Sequence, residues 1–95
     1  MIYLVERYLP GIAAAELERA LERLEETTRE LQREGAEIRY LGSTIVPEDE
    51  ACFCQFDAHS EELVAEANRK AGIEFDRIVS ALAVASTAAK EGGER

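Results

Sequence analysis

The chain has no tryptophan, two prolines, two cysteines and a single histidine among its 95 residues. With His59 alone, a Cys–His or Ser–His dyad would require Cys52 or Cys54 to reach a turn from a strand. There is no glycine-rich phosphate loop, no G-x-S-x-G, no H-E-x-x-H and no Cys-x-x-Cys. A binding role is therefore expected over catalysis of the usual hydrolytic kinds. Cys52 and Cys54 stand two apart on one predicted strand, where a mutual disulfide would be badly strained. Both thiols are expected to be free, as in a reducing compartment. No apolar run approaches the ~20 residues that cross a bilayer. Met1 to Glu6 lacks the basic stretch and small-residue cleavage site of a signal peptide, so the expected address is the cytoplasm. Basic residues are scarce, 11 against 20 acidic, and the net charge is −9 at pH 7. Nucleic acid and anionic membranes are bound through clustered Lys and Arg, so neither is an expected partner. Cations, basic partners or neutral small molecules fit this balance better.

What is present is one modest domain. A chain of this length buries roughly 60–70% of its unfolded surface. Ile2 to Leu9 reads as a strand, ended by Pro10-Gly11. Leu17, Leu21, Leu24, Thr28 and Leu31 form one apolar stripe, which predicts a helix over about 13–34. Gly35 supplies its C-cap. Strand two is expected over 37–46 and strand three over 51–57, across the turn Pro47 to Glu50. Ser60 is a good N-cap for a second helix, with Glu61 and Glu62 in its first turn. Gly72 closes that helix, and Asp76 to Val84 reads as strand four. The order β-α-β-β-α-β is the split βαβ pattern, so the fold class is α+β and ferredoxin-like, with a four-stranded antiparallel sheet. The domain is expected over 1–84, with 85–95 a flexible C-terminal tail.

The sheet faces add a further expectation. Strands one, three and four carry apolar residues at both parities, whereas a sheet with one wet face should alternate sharply. Two helices cover one face only. The simplest cover for the other is a second copy, sheet against sheet. That predicts a homodimer, a dimeric α+β barrel enclosing a mostly apolar cavity.

Three blocks carry a resemblance. They are Val5-Glu-Arg-Tyr-Leu-Pro-Gly11, Cys54 within Phe-Cys-x-Phe-Asp-Ala, and Ala67-Asn-Arg-Lys-Ala-Gly-Ile-Glu-Phe-Asp-Arg-Ile-Val79. Together they resemble a bacterial family of nickel-binding, ferredoxin-like proteins, long catalogued as a domain of unknown function. The resemblance spans about 2–84. It implies the dimeric α+β barrel and suggests nickel or another divalent metal, but no reaction. The family pattern has one histidine near the end of strand two and another in the second helix. Here Gly42 and Asn68 stand at those places, and imidazole is a principal nickel ligand.

Glu6 lies among Ile2, Leu4 and Tyr8, and a carboxylate on a buried sheet face needs a partner. It is a candidate metal ligand or cavity-lining acceptor. The competing reading is an ion pair with Arg39 or Arg77 on a neighbouring strand, or a solvated edge. His59 neighbours Asp57, Glu61 and Glu62 and is the second candidate metal ligand. Its competing reading is a solvated surface turn. Tyr40 and Phe53 are candidates to line a ligand cavity, and a buried Tyr40 hydroxyl would need a partner. Cys52 and Cys54 point to one face and suit a soft metal, yet free cysteines more often pack as small core hydrophobes. Glu18, Glu22, Glu26, Glu30 and Glu34 form an acidic ridge on the first helix, read as a solvated face. The leading functional expectation is a small homodimer that binds a divalent metal ion, with Glu6 and His59 as ligands. The alternative is a small-molecule pocket, or a cofactor-free enzyme, in the inter-sheet cavity.

Overall fold

A computed structural model describes residues 1–86. The elements are β1 (Ile2–Tyr8), α1 (Ala14–Arg33), β2 (Ile38–Val46), β3 (Ala51–Ala58), α2 (Glu61–Lys70) and β4 (Arg77–Ala81). A single 3-10 turn, Pro47–Asp49, joins β2 to β3. The strand order is β2-β3-β1-β4, and every neighbouring pair is antiparallel. This is the ferredoxin-like α+β fold that the element order predicts.

Both helices lie on one face of the sheet. α1 buries Leu17, Ala20, Leu24, Thr28 and Leu31, the predicted stripe with Ala20 added and Leu21 half-buried. The Thr28 hydroxyl would be costly there without a partner, and it donates to the Leu24 carbonyl at 2.7 Å. α2 starts at Ser60, whose hydroxyl accepts from the Leu63 N–H at 3.2 Å. It buries Val64, Ala65, Ala67 and Asn68. Between the layers lies one core, with Val5, Leu24, Cys54, Phe56 and Val64 at its centre. Among the described residues no helix is long and apolar enough to cross a membrane.

Strand four is shorter than its sequence suggests. β4 ends at Ala81, opposite Ile2, the first residue of β1. Leu82 and Val84, predicted as strand, are instead exposed. At the other end, Asp76 lies outside the strand but still serves β1. Its N–H donates to the Glu6 carbonyl at 2.8 Å, and its carboxylate accepts from the Tyr8 N–H at 2.7 Å. Of the predicted tail, Ala85 and Ser86 carry no regular structure, and 87–95 lies outside the described residues.

β2 contains one irregularity with consequences. Its register against β3 shifts between Tyr40 and Gly42, so Leu41 is an extra residue. Gly42 adopts φ +127°, a region closed to most side chains. Tyr40 sits across from Phe56 and Ser43 across from Cys54. Simple alternation would put Tyr40 and Ser43 on opposite faces, and the bulge puts both on the helix side.

Candidate functional site

Among the described residues, no helix lies over the second face of the sheet. Half-buried Ile2, Leu4, Phe53 and Val79 share it with Glu6 and Arg77. Glu6 is 8% exposed and accepts from Arg77 Nε at 2.7 Å. One of the two ion pairs named from sequence is therefore made. Phe53 lies directly across from Glu6 on β3. Tyr40 lies on the opposite face, its ring 5.3 Å from that of Phe56. His59 stands at the far end of β3, exposed, with Nδ1 3.5 Å from Glu37 Oε2. Six residues of extended chain separate it from Phe53, a span of about 20 Å. Glu6 and His59 therefore do not meet within one chain. Glu6 and Phe53 do meet, and Tyr40 joins neither. Among the described residues no group of three or more His, Cys, Asp or Glu is arranged to hold a metal ion.

A different constellation lies under the helices. Arg7 alternates with Tyr3 and Val5, so its side chain enters the core, and its exposure is 0%. A buried guanidinium is costly unless its donors are used. Nη1 donates to the Glu74 carbonyl at 2.9 Å. Nη2 donates to Asn68 Oδ1 at 2.7 Å and reaches Cys54 Sγ at 3.3 Å. Asn68 is held in turn by its amide, which donates to the Val64 carbonyl at 2.8 Å. Nε is buried without a partner.

Cys54 receives two further donors. Ser43 Oγ donates to its sulfur at 2.9 Å, and Cys52 Sγ lies 3.8 Å away. The Tyr40 hydroxyl is hydrogen-bonded to Ser43 and completes the chain. The Cys52 thiol, by donating to Cys54, lowers the Cys54 pKa most. Burial opposes that shift, while the Arg7 charge and the Ser43 hydroxyl add to it. The outcome is a value of about 5. Cys54 therefore gives up its proton more readily than an ordinary thiol. Cys52 moves the other way: its bond to Cys54 raises it, and burial and the Cys54 charge raise it further. Burial pushes the Tyr40 phenol up against the pull of Ser43. Of the two thiols, Cys52 holds its proton the more tightly.

Cys52 also lines a cavity of about 340 Å³ between the hairpin end and the start of α1. Its walls are apolar at Ile12, Leu17 and Ile45, with carboxylates at Glu18 and Glu50. The sequence reading placed both cysteines on one buried face and missed their charged partner. The available signal was Arg7 itself, the charged residue in an otherwise apolar parity.

A model of the family described as nickel responsive protein SCO4226-like matches residues 3–80. The chain belongs to this family. The crystal structure of SCO4226 from Streptomyces coelicolor A3(2) is similar to it, with a TM-score of 0.74 at 16% identity. The match covers 90% of this chain and 100% of that one. At that identity the likeness establishes the fold and nothing finer. No curated protein matches the chain. The family is the one resembled by the blocks around Pro10, Cys54 and Gly72.

Proposed function

We propose that this SCO4226-like chain is a small cytoplasmic binding protein for a divalent metal ion, nickel first, and that it works as a homodimer. The observation that carries the metal reading is the exposed His59–Glu37 pair, an imidazole nitrogen 3.5 Å from a carboxylate oxygen. Imidazole and carboxylate together suit a borderline ion such as nickel, and water or a second copy supplies the remaining positions. The family's description as nickel responsive supports the choice of ion. Glu6 is paired with Arg77 within its own chain, and on this reading it contributes at the dimer interface. With Phe53 it lies on the sheet face proposed for the second copy. Two free buried thiols fit a reducing cytoplasm.

Calorimetric titration with nickel, on protein freed of any affinity tag, tests the reading. The unaltered protein is expected to bind, and His59→Ala is expected to lose most of that affinity while remaining folded. Absence of heat at millimolar nickel, or binding unchanged in His59→Ala, would remove the assignment.

A further inference from the structure

We propose that Cys52 and Cys54 form a second, internal site, which binds one soft monovalent cation of the Cu(I) class between the two sulfurs. The site lies beyond the nickel reading and does not depend on it. His59 is seven residues along the chain from Cys52, a distance of about 23 Å in an extended strand.

The geometry supports a bridging ion. The two sulfurs are 3.8 Å apart and point to the same side of β3. With metal–sulfur bonds of about 2.3 Å, that separation sets an angle of about 110° at the ion. A third position is then left open. Thiolates are soft ligands and favour Cu(I) over harder cations.

Charge decides between a monovalent and a divalent guest. Two ligating thiolates beside the Arg7 guanidinium leave one negative charge, in a region with no exposure at Arg7 or Cys54. A monovalent cation brings that total to zero. A divalent cation would leave an additional positive charge beside Arg7, uncompensated and out of water, which is costly. Access runs through the cavity, where Cys52 forms part of the wall and Glu18 and Glu50 attract cations.

The test is an anaerobic titration of the reduced protein with Cu(I), in competition with a chromogenic Cu(I) chelator. The expected result is one equivalent per chain, with ultraviolet sulfur-to-copper absorption. Cys52→Ser and Cys54→Ser should each lose the ability to compete. His59→Ala should retain it while losing nickel, so failure of one reading is separable from failure of the other. The stoichiometry and the ultraviolet band use the unaltered protein and stand if Cys54→Ser fails to fold. The proposal is overturned by loss to the chelator, by retained binding in Cys52→Ser, or by displacement of Cu(I) by Zn(II).

Discussion

Arg7 and Cys54 stand on neighbouring strands and meet at 3.3 Å, a guanidinium against a sulfur, with neither side chain reaching solvent. The contact lies at the centre of the layer between sheet and helices. It connects three separate parts of the chain: β1, β3, and the α2–β4 segment through Asn68 and Glu74.

Arg7→Met therefore has two effects. Cys54, Asn68 and the Glu74 carbonyl each lose a donor inside the protein. Removing one partner of a buried charge pair costs about 3–5 kcal/mol. Cys54 also loses one cause of its low pKa, so its thiolate absorption at neutral pH should weaken. Arg7→Lys should rescue little, because a single ammonium cannot reproduce the two-pronged fork. Urea unfolding and ultraviolet titration of the thiolate check both effects.

The thiolate gives stability a specific dependence on pH. Cys54 moves from an ordinary 9.0 down to about 5 in the folded chain. Between those values the unfolded chain carries a proton that the folded chain does not. The resulting stabilisation is complete above 9.0, shrinks on acidification, and is gone below about 5. The stability gap between the unaltered protein and Cys54→Ser should widen as pH rises from 5 toward 9, as read by urea midpoints. A gap constant with pH would contradict an ionised Cys54.

Gly42→Ala is expected to destabilise by about 1 kcal/mol or more through the backbone alone. A Cβ at Gly42 meets nothing within 4 Å, so crowding is not the cause. The strain comes from φ +127°, which the bulge needs in order to bring Tyr40 and Ser43 to one face. Thermal unfolding reads the loss. If the bulge shifts to relieve the strain, Ser43 leaves Cys54 and the thiolate pKa rises with it.

Phe53→Asp tests the open face of the sheet. It places a carboxylate directly across from Glu6, on the surface where the second copy is proposed to sit. Sedimentation should show a dimer for the unaltered protein and a monomer for the variant. A variant that stays dimeric would place the interface elsewhere.

Much of the fold is legible in the sequence because local rules act alone there. The stripe from Leu17 to Leu31 specifies a helix with one buried face. Ser60, Pro47 and Pro10 mark boundaries through capping and through the missing proline N–H. Strand four was harder to read, because Asp76 to Val84 has strand-like composition throughout. Its end at Ala81 follows the pairing with β1, whose last partner is Ile2, and no local pattern carries that.

The candidate sites divide along the same line. Cys52 and Cys54 share a face by simple alternation, which the sequence determines without help. Glu6, among apolar neighbours, announces its need for a counter-ion. Only tertiary structure decides that Arg77 meets that need and that Arg7 goes to Cys54 and Asn68. It also places Glu6 and His59 at separate ends of the sheet. Sequence periodicity reports which side of an element a residue faces. Which distant group waits there, and so which thiol keeps its proton, is set by chain crossings that bring residues 7, 54 and 68 together.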